Sequence, residues 1–248
     1  MRPRTRSKLE IIDVDQLRQI PAPITTDTYI GVEHANIYDR IRHCAKEIGL
    51  DHYRDRIEIT NGGLRAFMNI QFIADDPKYL YSIVGRSTYD KSASVGVGAG
   101  NSVDICTNLN LWGEDTTIVR KHTKNVEQDL DDLLLDVIRA GRERYNTKVM
   151  WSEQLKEIAL THQQGLAALG AASAMGVMPH GIVKKAISHW DNPPFEEFKK
   201  ERNVFGLYQA GTWGLHSVRP DNKFETSAKL VDFVNTISTQ DGKLMLVA

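Results

Sequence analysis

Apolar positions Ile37, Ile41, Ala45 and Ile48 recur at intervals of four, four and three, which is one face of a helix over residues 32–48. Gly49 ends that run. The rhythm then shortens. Ile57 and Ile59 precede Asn61-Gly62, and Phe67, Ile70 and Phe72 follow it, so residues 55–73 are predicted to form a hairpin. A further strand is predicted at 79–84, after the turn Asp75-Asp76-Pro77, and another within 94–111. In that last run Gly96, Gly98 and Gly100 lie two apart and share one strand face, while Val95, Val97 and Ala99 take the other. The glycine face is bare, and something must approach it closely.

From residue 126 the helical period returns. Leu130, Leu133, Leu134, Val137 and Ile138 form one stripe. Acidic residues open this helix and basic ones close it, an order that suits the helix dipole and asks for no functional explanation. An Ala-rich helix is expected to continue over 155–175, with Met178-Pro179 as its stop. Helices are also predicted at 181–190, 195–214 and 226–237, and a short apolar β-like end at 244–248. Ile20-Pro21-Ala22-Pro23 and the polar cluster 25–28 disfavour regular structure near the start. The expected fold is α+β: an N-terminal helix, a central antiparallel β-meander, then a mainly helical C-terminal half. The expected organisation is an extended arm over 1–29, an α/β-meander region over 30–125 and a helical region over 126–248, the last two packed as one domain.

Charge changes this picture little. Thirty-one Lys and Arg against 32 Asp and Glu give a net charge of -1. That excludes a polybasic coat and an acidic nucleic-acid mimic, but not a local basic face. Two cysteines, Cys44 and Cys106, cannot build a disulfide framework and point to a reducing compartment. No apolar stretch reaches the roughly 18 residues of a membrane span. Arg2, Arg4, Arg6 and Lys8 are not followed by the apolar run of a signal peptide, so the cytoplasm is the expected location. The eight histidines show no metal-ligand spacing, and no metal or cofactor is expected.

Candidate chemistry gathers around the glycine-bearing strand. The 96–102 run lacks the third glycine of a dinucleotide fingerprint and the Gly-Lys-Ser/Thr of a P-loop, leaving close backbone packing or a phosphate nest. Cys106 and His122, with Asn108 as orienter and Asp90 or Asp104 nearby in sequence, offer a thiol–imidazole pair. The larger signal is basic and polar. Arg86-Ser87-Thr88-Tyr89-Asp90-Lys91-Ser92 and Arg120-Lys121-His122-Thr123-Lys124 flank the strand on either side. Arg86, Lys91, Arg120, Lys121 and Lys124 would neutralise phosphates. Tyr89, Trp112 and His122 would supply rings and polar contacts to bases, a mixture suited to single-stranded nucleic acid. Lys184-Lys185 and 199–202 read as helix surface, and Phe205, Tyr208 and Trp213 as core.

These residues also carry a resemblance. Residues 83–92, Val95-Gly96, 103–109, Arg120-Lys121-His122-Thr123 and the aromatic segment 205–212 resemble the phage/plasmid-like protein family of unassigned function, found in bacteriophages, plasmids and mobile elements; the likeness spans 32–215. It implies a mobile-element protein acting in a bacterial cytoplasm. The order helix, β-meander, long helix is also similar to the core of single-strand annealing proteins, which assemble as rings or filaments around single-stranded DNA. The leading expectation is a single-stranded DNA-binding protein for replication or recombination, with strand annealing as a further activity and a homo-oligomer as its working form. The alternatives are a counter-defence enzyme using Cys106 and His122, and an oligomeric binder of a host protein. No membrane partner is expected.

Overall fold

The computed structural model describes residues 8–26, 29, 31–75, 78–103, 109–111, 117–120, 126–196, 199 and 202–238, with backbone alone at 103, 109–111, 117, 120 and 126–129. The expected N-terminal arm contains regular structure. Strand β1 (Glu10–Ile12) leads into helix α1 (Val14–Arg18). The helix starts because Gln16 N–H donates to Asp13 Oδ1 at 2.8 Å while Asp13 N–H donates to Gln16 Oε1 at 3.0 Å. This reciprocal cap satisfies two amides that a helix start leaves orphaned. Helix α2 (His34–Glu47) follows, and Gly49 beyond it adopts φ 77°, where a side chain would be strained.

Strands β2 (His52–Thr60) and β3 (Arg65–Phe72) form the predicted hairpin. Asn61, Gly62 and Gly63 all take positive φ between them. Strands β4 (Tyr79–Thr88), β5 (Val95–Val103), β6 (Leu109–Leu111) and β7 (Thr117–Arg120) complete a seven-stranded sheet in which every recorded pairing is antiparallel. The order runs β1-β2-β3-β4-β5-β6, and β7 shares the outer edge of β5 with β6. Gly96, Gly98 and Gly100 therefore sit in a strand paired along both edges. Its amides serve the sheet ladder rather than a phosphate nest.

Helix α3 (Val126–Glu157) is 32 residues long. The helix expected to continue from 155 is broken here. Leu160 N–H donates to Arg202 O at 2.9 Å, and Thr161 and Gln164 form a second reciprocal cap that starts α4 (His162–Ala174). Helix α5 (His180–Asp191) matches its prediction closely. Helix α6 (Val204–Leu215) starts later than expected, where Asn203 Oδ1 accepts from Gly206 N–H at 2.8 Å. A 3-10 turn (Pro220–Asn222) then feeds α7 (Lys223–Ile237). The fold is thus α+β, with strands central and helices mainly C-terminal. One hydrophobic cluster runs through both halves, from Ile41 and Ile83 to Val137, Leu169 and Tyr208.

The sheet has two buried faces. On one, Ile57, Met68, Ile70, Ile83, Val97 and Ala99 lie under α2 and α3. Each Ile, Met or Val among them stabilises by about 1.5–3 kcal/mol on full burial. Gly141 lets α3 come close, since a Cβ there would sit 2.2 Å from Tyr81 Oη and 2.5 Å from Ala99 Cβ. Tyr81 Oη donates to Ile138 O at 2.8 Å across the same contact. The opposite face carries Glu58, Asn69, Gln71, Ser82, Arg86 and Ser102, all buried. Its small apolar cluster, Phe67, Val84 and Phe224, joins the sheet to α7.

Candidate functional site

The turn between β4 and β5 is tightly built. Thr88 Oγ1 donates to Ala93 O at 2.6 Å and accepts from Ala93 N–H at 3.0 Å. Asp90 Oδ1 accepts from Ser92 N–H at 3.1 Å, and Arg65 Nε donates to Asp90 Oδ2 at 2.7 Å. Burial pushes the Asp90 carboxyl up, but its Ser92 and Arg65 bonds outweigh that and hold it below the usual carboxylate value. A base so held is a poor proton acceptor near neutrality. Lys91 sits at the exposed apex with φ 60° and its Nζ 4.8 Å from the Tyr29 ring centre.

The β5–β7 register brings the backbone of Arg120, the first residue of the second basic cluster, to this place. Val95 pairs with Arg120, so the C-terminal end of β7 lies beside the end of the β4–β5 turn. The structure therefore sets Lys91 and the backbone of Arg120 at one end of the sheet. Trp112, Lys121, His122 and Lys124 lie outside the described residues, as do Asp104, Cys106, Asn108 and the segment 244–248.

Two other expected contacts need correction. Arg86 is 2% exposed and does not face solvent. Its Nη1 donates to Asp221 O at 2.9 Å and to both oxygens of Glu225 at 2.9 and 3.0 Å, and its Nε donates to Ser94 O at 3.4 Å. The guanidinium also lies 4.9 Å from the centre of the Phe224 ring. Arg86 packs over Gly96, where a Cβ would meet its Nε at 3.5 Å, an ordinary contact, so this position does not show the close approach expected of the bare glycine face. Arg86 is a brace between the β4–β5 turn and α7, not a phosphate contact. Tyr89 is likewise enclosed. Its ring stacks on His34 at 3.8 Å and 4°, and its Oη accepts from His34 N–H at 2.7 Å. Burial raises its hydroxyl to about 12, although the His34 bond opposes the rise. Neither ring face is open to a base.

A second polar site was not legible in the sequence. Glu58 on β2 is 1% exposed; its Oε1 accepts from Arg56 Nε at 2.8 Å and its Oε2 pairs with Lys223 Nζ from α7. Burial pushes the carboxyl up, but Lys223 and Arg56 outweigh it and hold it below the usual value. Burial depresses the Lys223 ammonium, and Glu58 only partly restores it. These charges stand at a small cleft between β2–β3 and α6–α7, which Phe67, Asn69, Thr212 and Ser227 also line. The one local signal was a carboxylate between Ile57 and Ile59 on a strand; nothing local pointed to its partner on α7.

Elsewhere the described residues hold no group of three or more His, Cys, Asp or Glu suited to a metal ion. Cys44 is buried, and burial lifts its thiol to about 11, far from a reactive thiolate. No described helix is long and apolar enough to cross a membrane. Comparisons with family models, curated proteins and solved structures found no match.

Proposed function

We propose that this protein binds single-stranded DNA at the sheet end formed by the β4–β5 turn and the C-terminal end of β7. The observation that supports the reading is the Val95–Arg120 pairing, which sets the backbone of Arg120 beside the end of the turn that carries Lys91. Lys91 and Arg120 neutralise neighbouring phosphates. Lys121 and Lys124, next in sequence, extend the cationic track, and Trp112 and His122 supply the ring and polar contacts. Arg86 and Arg65 are positioning residues: they fix the turn that presents Lys91. With a net charge of -1, the protein draws its affinity from this local track rather than from bulk attraction.

The resemblance to the mobile-element family and the order helix, meander, long helix extend the proposal. The protein serves replication or recombination of a phage or plasmid in the bacterial cytoplasm, acts as a homo-oligomer, and brings complementary strands together. Fluorescence anisotropy with a labelled single strand and the matching duplex tests the reading. Tighter binding of the single strand, weakening as salt rises, is the expected result. Absence of single-strand binding at low salt overturns it.

A further inference from the structure

We infer that the surface where α5 meets the loop after α6 carries single-stranded DNA onward from the sheet end, with Lys184, Lys185 and Arg219 as its phosphate contacts. The inference rests on the single-strand reading above and names the path that the strand takes over the helical half.

The first observation is where the carboxylates are not. Over the whole chain 32 Asp and Glu nearly cancel 31 Lys and Arg, yet residues 158–190 and 202–220 hold no acid at all. These two segments span α4, α5 up to its last residue, and α6, and α5 packs against both of the others. Their cations are Lys184, Lys185, Arg202 and Arg219. A chain of near-zero net charge therefore contains a cationic helical block. Acid-free segments that are also neighbours in space do not cancel their own cations at close range, where the field is strongest.

The second observation is which of these cations face solvent. Lys184 and Lys185 are exposed side by side on α5, and the Arg219 side chain is 52% exposed. Arg202 is turned inward instead. Its Nη1 donates to Trp190 O at 2.6 Å, and its guanidinium lies 5.0 Å from the centre of the Trp190 ring. The solvent-facing charge of the block is thus gathered on α5 and the loop after α6.

The third observation is continuity with the sheet end. Lys185 Nζ donates to Ser217 Oγ at 2.5 Å, two residues before Arg219. Arg219 Nη2 donates to Asp221 Oδ2 at 3.1 Å, and Arg65 Nη1 lies 3.1 Å from the same oxygen. Arg65 Nε in turn holds Asp90 of the β4–β5 turn at 2.7 Å. Three ion pairs therefore join Arg219 to the turn that presents Lys91. Asp221 is 7% exposed and points at these arginines, so it does not confront a strand passing over them. Beyond the group given to Asp221, the Arg219 guanidinium keeps further donors for a phosphate.

Anisotropy titrations with thymidine oligomers of about five and about twenty nucleotides, over a range of salt, test the path. The long oligomer should bind the wild type with the steeper salt slope. In the Lys184→Ala, Lys185→Ala, Arg219→Ala variant that slope should become shallower by about two, at about 0.7 per phosphate, while the short oligomer keeps its affinity for the sheet end. Lys184→Glu with Lys185→Glu leaves the Arg219–Asp221 pair intact and should weaken the long oligomer far more than the short one, which guards against a folding fault in the triple variant. Lys46→Ala with Arg139→Ala removes two exposed cations from α2 and α3 and should weaken neither. The path is overturned if the triple and glutamate variants bind the long oligomer like the wild type. It is equally overturned if the α2–α3 variant weakens that oligomer as much as they do, because net charge alone would then be acting. Both results leave the single-strand reading standing, whereas a wild type that binds neither oligomer removes the reading and the path together.

Discussion

The two faces of the sheet are both buried, yet they are built from opposite chemistry. Under α2 and α3 lie Ile57, Met68, Ile70, Ile83, Val97 and Ala99, whose burial is non-directional and tolerant of partner. Under α7 and the 3-10 turn lie Glu58, Asn69 and Arg86, whose charges are stable only as sets matched by Lys223 and Glu225 of α7. The first face holds the fold together. The second spends its charges on position. Arg86 ties Ser94 in the β4–β5 turn to Asp221 and Glu225, and Arg65 ties Asp90 in the same turn to Asp221. The charged face thereby anchors the loop that carries Lys91 through ion pairs, while α2 on the other face holds the same loop through the stacked His34–Tyr89 pair.

The sharpest way to break this contrast is to unbalance the charged face. Glu58→Leu leaves Lys223 buried without its counter-ion and should cost about 3–5 kcal/mol in urea unfolding. Adding Lys223→Met should recover most of that loss, because the exposed side of Arg56 can turn to water. A double variant as unstable as the single one would show that the pair supports the fold after all. On the apolar face Ile83→Ala should cost roughly 2–4 kcal/mol, with no charge swap able to restore it. Gly141→Ala should cost about 1–3 kcal/mol by forcing α3 off Tyr81 and Ala99. Tyr81→Phe should recover part of it, since Oη is the nearest obstacle.

The smallest effect expected is the dependence on pH. The folded-state value of Glu58 lies below its ordinary one, so its contribution is present above the unfolded carboxylate value and lost as pH falls through the folded one. The Glu58→Leu, Lys223→Met protein should therefore lose less stability in acid than the wild type. His189, buried beside Trp213, adds a separate window. Burial lowers it from 6.5 to about 4, so its contribution is full above the higher value and lost as pH falls toward the lower. His189→Phe should flatten the stability profile between those two values and leave the Glu58 region unchanged. Equilibrium unfolding across pH reads both.

The apolar face was the legible one. The four-four-three spacing of α2, the Asn61-Gly62 turn and the leucine stripe of α3 follow from local period and turn chemistry. The starts of α1 and α4 were missed because reciprocal Asp13–Gln16 and Thr161–Gln164 caps override a run that reads as unbroken or irregular. Arg86 was misread for a different reason. All ten residues of β4 are buried, so polar residues on that strand do not mark a solvent face. Tyr89 was lost to a ring contact with His34, 55 residues away, and Lys223 to an ion pair with Glu58 from another half of the chain. Contacts of that range leave no periodic trace. The juxtaposition of Lys91 and Arg120 was legible only as two clusters flanking one strand; the register supplies the rest.

The central claim is that the sheet end carrying Lys91 and Arg120 holds single-stranded DNA. Its most direct test is the salt dependence of single-strand affinity for the wild type and for the Lys91→Ala, Arg120→Ala double variant. Each phosphate contact contributes about -0.7 to the slope of log affinity against log salt. The account predicts a shallower slope by roughly one to one and a half and weaker binding at low salt, with unfolding stability unchanged. A variant that keeps the wild-type slope and affinity would contradict it.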